Sequence, residues 1–123
     1  MNSARRPVFL NVTRLRFPVG AVASIGHRIS GVVLVCALPF AVAAIERSLA
    51  GGAEFASVVD GLRSPAGRGG LLVVAWAAAH HLLAGIRHLL MDVGVGASLP
   101  AGRASAFAVI ALALLAAALP LAA

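Results

Sequence analysis

The sequence predicts an all-α integral membrane protein with three transmembrane helices. Of its 123 residues, 61% are hydrophobic and only 11% charged, about half the charged share of an ordinary soluble domain. The apolar residues also gather into three long runs, at about 22–44, 70–91 and 105–121. A run of roughly 20 apolar residues is what crosses about 30 Å of hydrocarbon. The chain reads as a single membrane-anchor unit over 1–123, with no soluble domain to separate.

The first run follows a leader carrying Arg5, Arg6, Arg14 and Arg16, and it contains Ala41-Val42-Ala43-Ala44. Leader and small residues resemble a cleaved signal peptide. The leader is long, however, and His27 and Arg28 interrupt the apolar core, so a retained span is expected. Pro39 would kink that span or mark its last turns, which lipid-embedded helices tolerate. Cys36, the one cysteine, can form no internal disulfide and reads as a small packing residue; no C-x-x-C-H run exists for covalent cofactor attachment.

The link from 45 to 70 holds three acidic and three basic residues. Within it Phe55, Val58, Val59 and Leu62 recur at i, i+3, i+4 and i+7. This spacing predicts a short helix over 53–62 lying on the membrane surface, stopped by Ser64-Pro65. The second link, about Asp92 to Arg103, contains glycines and Pro100 and reads as a tight turn. The third run is nearly all alanine and leucine, carries no polar group after Ser105, and reads as structural filler.

The net charge is +6, and every basic residue is arginine. No basic stripe is interleaved with aromatics and tyrosine is absent, which argues against nucleic acid. Basic flanks of membrane helices explain the charge. Four arginines precede the first span, and Arg103 and Arg87 lie near the second link, against three in the first link. The positive-inside rule then places the N-terminus in the cytoplasm and the C-terminus outside. No internal repeat is visible, which disfavours transporters built from paired halves. A leader without an obvious transit peptide points to a bacterial inner membrane rather than a mitochondrial one.

Two polar constellations interrupt the apolar runs. On the second span, His81, Gly85, His88 and Asp92 fall at i, i+4, i+7 and i+11, one helical stripe. Ionisable groups within lipid are costly, so a segment that keeps them is expected to use them. His81 lies about 15 Å from the Met91 edge by helical rise, near mid-bilayer. A neutral imidazole there suits axial ligation of haem iron, and Gly85 would let a flat group lie against the backbone. His80, about 100° round the helix, competes for the same role. A buried histidine can equally well hydrogen-bond a neighbouring helix. His88 and Asp92 are spaced to pair or to touch a propionate, and Arg87 reads as an interface anchor.

On the first span, Ser24, His27, Arg28 and Gly31 share a face, Ser24 and Arg28 being about 6 Å apart along the axis. A hydroxyl, an imidazole and a guanidinium together can bond a quinone carbonyl or neutralise haem propionates. Equally, Arg28 snorkels to headgroups and Ser24 bonds its own helix. His27 counts as nearer the surface than His81. A six-coordinate haem would then take its second ligand from another chain, and the many small residues along the spans suit such an assembly.

Arg6-Pro7-Val8, Arg16-Phe17-Pro18-Val19, Ser24-Ile25-Gly26-His27-Arg28-Ile29-Ser30-Gly31, and His81-Leu82-Leu83-Ala84-Gly85-Ile86-Arg87-His88 with Asp92 together resemble the cytochrome b subunit of succinate dehydrogenase. This is the larger membrane anchor of respiratory complex II, an enzyme of the tricarboxylic acid cycle. The resemblance covers roughly residues 6–103, and its two motifs, S-x-x-H-R-x-[ST]-G and H-x-x-x-G-x-R-H, are specific as a pair. It implies that His81 is the axial ligand to haem b, the other ligand coming from a second, smaller membrane-anchor subunit. It implies ubiquinone, or another quinone, at Ser24 and Arg28, with His27 and Arg28 near the propionates. It also implies an iron–sulfur subunit and a flavoprotein that oxidises succinate. This chain has neither a nucleotide fingerprint nor a cysteine array, so it would not oxidise succinate alone.

Two other readings remain at this point. A haem-free anchor tethering a peripheral enzyme would use the histidines only as interhelical bonds. A small channel or transporter subunit would line a path with them.

Overall fold

The computed structural model describes residues 17–118. The arginine-rich leader through Arg16, including Arg6-Pro7-Val8, and the end of the third run beyond 118 lie outside the described residues. Four helices follow in order: α1 Val19–Leu49, α2 Gly52–Arg63, α3 Pro65–Asp92 and α4 Leu99–Ala117. Among the described residues there is no strand. Helices α1, α3 and α4 are each long and apolar enough to cross a membrane. This is a multi-pass membrane protein.

All three long helices begin or end away from the boundaries of the apolar runs, because helix continues past the hydrocarbon-length segment at both ends of α1 and ahead of α3 and α4. Pro39 sits inside α1 without ending it; it removes one backbone bond, which the remaining turns outweigh. Ser64 closes α2 and opens α3. Its hydroxyl donates to the Gly61 carbonyl at 2.6 Å and accepts the Gly67 N–H at 3.0 Å. Pro65, with no N–H to lose, starts α3. Gly67 presses on the Gly61 carbonyl and the Leu62 backbone, where any Cβ would collide.

The α3–α4 turn is shorter than the expected Asp92–Arg103 link. Gly94 adopts φ +85°, and the Gly94 and Val95 N–H groups bond the Met91 and Leu90 carbonyls at 3.0 and 2.8 Å. This is a Schellman cap, which needs the left-handed residue that glycine supplies. Pro100 then falls in the first turn of α4 rather than in the loop.

The core is made of small residues. Ala23, Ala77, Ala84, Ala106 and Ala113 are fully enclosed, and the largest fully enclosed side chain is Ser30. Helices here approach through short side chains, as bilayer-spanning helices do where lipid removes any hydrophobic gain from association. Large apolar side chains such as Phe40 (77% exposed) and Val35 face outward instead. Cys36 is also exposed, so it lies outside the enclosed core of the described residues. On α4, Ala106, Val109 and Ala113 recur at i, i+3 and i+7 and are buried. The third run is thus a patterned packing face.

Helix α2 covers the segment expected to be helical. Arg47 at the end of α1 donates to Glu54 at 2.6 Å, and a second Arg47 nitrogen reaches the Ser57 hydroxyl at 3.4 Å. Val58 and Val59 are half-buried, while Phe55 remains exposed.

Candidate functional site

Helices α1 and α3 run antiparallel, so the beginning of α1 meets the end of α3. Here glycines on each helix accommodate imidazoles from the other. Gly26 receives His80: a Cβ on Gly26 would stand 2.5 Å from His80 Nε2. Gly31 receives His81, whose Cε1 would be 3.0 Å from such a Cβ, and Gly85 receives His27, whose Nε2 would be 3.4 Å away. The flat group that comes against Gly85 within this chain is therefore the His27 ring.

Three imidazoles form a row. The His27 and His81 rings stack at 4.2 Å and 15°, and His27 lies 5.2 Å from His88, tilted by 31°. Counting along the helices made His27 shallower than His81. It is eight residues into α1, about 12 Å, and His81 is eleven before the end of α3, about 16 Å. A side chain's lean closes that difference, so the rings meet.

The hydrogen bonds distinguish the histidines. His81 Nδ1 lies 3.1 Å from the His27 carbonyl oxygen and 3.3 Å from the Ser30 hydroxyl. A carbonyl only accepts, so Nδ1 carries the proton and Nε2 keeps its lone pair. Nε2 bonds nothing among the described residues and is not sealed among them. His80 is the reverse. Its Nε2–H donates to the Ala23 carbonyl at 3.2 Å, its Nδ1 is buried without a partner among the described residues, and it is 3% exposed beneath Trp76. His88 donates from Nδ1 to its own Ala84 carbonyl at 2.6 Å, and among the described residues it forms no ion pair with Asp92.

Ser24 is half-buried and Arg28 exposed; among the described residues neither makes a side-chain hydrogen bond. Ser24, Arg28 and His27 lie at the same end of the bundle as His81 and His88. Arg87 does not behave as an outward anchor. Its Nε donates to the Ser105 hydroxyl at 3.0 Å and an Nη to the Gly102 carbonyl at 3.1 Å, clamping α3 to α4. In low dielectric a guanidinium gains more from fixed oxygens than from a partial reach to water.

Sequence reasoning missed Ser30 and Gly26 as parts of the site, although both stand inside the quoted S-x-x-H-R-x-[ST]-G segment, and it gave Gly31 a place on the face without its role of receiving His81. It also left His80 and His81 as rivals, which their spacing could not separate.

The fold and site describe a small multi-span helical membrane subunit with neighbouring imidazoles, a hydroxyl and an arginine at one end of its first two long helices. The chain belongs to the family of succinate dehydrogenase/fumarate reductase transmembrane subunits, whose model matches residues 2–119. It is 40% identical over 111 residues to a protein of Coxiella burnetii (strain RSA 493 / Nine Mile phase I) named succinate dehydrogenase cytochrome b556 subunit. That match covers 87% of this chain and 86% of the relative. A protein of the same name from Paracoccus denitrificans is 32% identical over 111 residues, covering 90% and 85% respectively.

Proposed function

We propose that this chain serves as the membrane anchor of a succinate:quinone oxidoreductase, holding haem b through His81 together with a smaller anchor subunit. The observation that carries the reading is the state of His81. Its Nδ1 proton is committed to α1, and the nitrogen left over is open and unprotonated, the form in which imidazole binds iron. His80 lacks such a nitrogen within reach of a porphyrin, which favours His81 of the two. The residues fit the group: an oriented neutral imidazole, with His27 and Arg28 beside it to meet propionates. When bound, haem supplies a one-electron redox centre in the membrane.

The Ser24 hydroxyl and Arg28 guanidinium have uncommitted donors on one face, i to i+4. Both suit a quinone carbonyl, on which negative charge grows as electrons arrive. Electrons would come from an iron–sulfur subunit supplied by a succinate-oxidising flavoprotein, and two protons with two electrons complete the quinol. This chain contributes position and charge, while the redox chemistry belongs to the cofactors and partners. The arginine distribution favours a site end on the cytoplasmic side, with α2 at the opposite surface, and the bacterial relatives favour an inner membrane.

Both halves of the reading are tested in the assembled complex. His81→Ala should abolish or alter the haem band in a reduced-minus-oxidised spectrum, while His80→Ala should leave it in place. Wild-type haem in His81→Ala would reject His81 as the ligand, whereas a wild-type complex without any haem band would favour the haem-free anchor, which the His27–His81 stack would also suit. Arg28→Leu should cut quinone reduction at least tenfold with haem retained; unchanged turnover would reject the quinone assignment.

A further inference from the structure

We propose that Ser30 is a positioning residue for His81, and that with the His27 carbonyl it fixes the proton and ring plane of the haem ligand. The proposal rests on the reading of His81 as that ligand.

Ser30 is fully enclosed, so it cannot itself touch a guest. Its hydroxyl donates to the His27 carbonyl at 2.9 Å and stands 3.3 Å from His81 Nδ1. With its hydrogen spent on the carbonyl, the hydroxyl oxygen faces Nδ1–H as an acceptor. The same N–H lies 3.1 Å from the His27 oxygen. One turn of α1 thus offers two oxygens, one from the backbone and one from a side chain, to a single proton on α3.

A serine bonding the carbonyl three residues back is common inside helices and by itself means little. Here the second contact crosses 51 residues of sequence to another helix. Gly31 leaves room for it, since a Cβ there would stand 3.0 Å from His81 Cε1. Chemistry follows from the far nitrogen. An imidazole whose N–H is held by oxygen is more electron-rich at its other nitrogen, binds iron more firmly and favours the ferric state. Removing an acceptor weakens both effects.

The test uses the complete complex in detergent, comparing wild type, Ser30→Ala and Ser30→Thr by haem content and by redox titration of the haem band. Ser30→Ala should lose haem about tenfold more readily, and the haem it keeps should have a more positive midpoint potential. Ser30→Thr, which retains the hydroxyl, should restore both. A residue that merely packs would lower stability without moving the potential of the remaining haem, and that result overturns the proposal, as does equality with wild type. If Ser30→Ala does not assemble, Ser30→Cys, similar in size with a weak thiol, is read by the same two criteria. His81→Ala separates the levels. If it keeps wild-type haem, the ligand reading fails and the proposal with it. If it loses haem while Ser30→Ala changes nothing, the proposal fails alone.

Discussion

Between Ala23 and Gly31, α1 meets α3 through glycines filled by imidazoles, whereas between Ala37 and Ala44 the same two helices part around a cavity of about 480 Å³. Small residues occur in both halves. Ala37, Ala41 and Ala44 line the open half just as Ala23 lies in the closed one. Small size permits close approach but does not produce it. The closed half is drawn together by His80 on the Ala23 carbonyl and His81 on the His27 carbonyl. Among the described residues the open half has no cross-helix polar bond of this kind and is instead bordered by Leu62 of α2 and Gly67. In lipid, directional bonds decide where two smooth helices touch.

Enlarging one small residue on each side of this contrast should give the largest difference. Gly26→Ala puts a Cβ against His80, which is enclosed and has nowhere to swing. Overpacking should cost about 1–3 kcal/mol, read as a lower Tm of the solubilised complex. Ala41→Leu, into the cavity, should change stability by no more than about 0.5 kcal/mol. Equal Tm changes for the two would show that the halves are packed alike.

A smaller effect is expected at the α3–α4 contact. Ser105→Ala removes one of the two oxygens that hold Arg87 and should cost about 1 kcal/mol, measured by the same melting experiment. A cost as large as that of Gly26→Ala would place the decisive contact at α4 instead. The least effect belongs to the far end of α1. Arg47 and Glu54 are 59% and 45% exposed, so Arg47→Ala should cost well under about 1 kcal/mol and less still at high salt. A salt-independent loss above that would mean that α2 fastens the open half more tightly than its exposure suggests.

Much of the molecule was legible without coordinates. The apolar runs gave three spans, the Ser64-Pro65 pair marked the α2–α3 junction, and the His81–Gly85–His88 stripe gave the face of α3 that meets α1. The rest depended on what each group found across the helix boundary. Arg87 read as an outward anchor because arginines near membrane edges usually are; Ser105 and Gly102 made an inward position better. The extent of the second link was misjudged because Pro100 signals both a turn and the first turn of a helix, and only the Schellman cap at Gly94 tells which applies.

Composition and periodicity alone determined that this chain spans a membrane as helices and sets histidines within two of them. Those properties depend on transfer from water to lipid and on the 3.6-residue repeat, both of which act residue by residue. Tertiary structure alone decided which nitrogen of which histidine is left open. A tautomer is chosen by the acceptor opposite it, and for His81 that acceptor sits on another helix, 54 residues away in sequence.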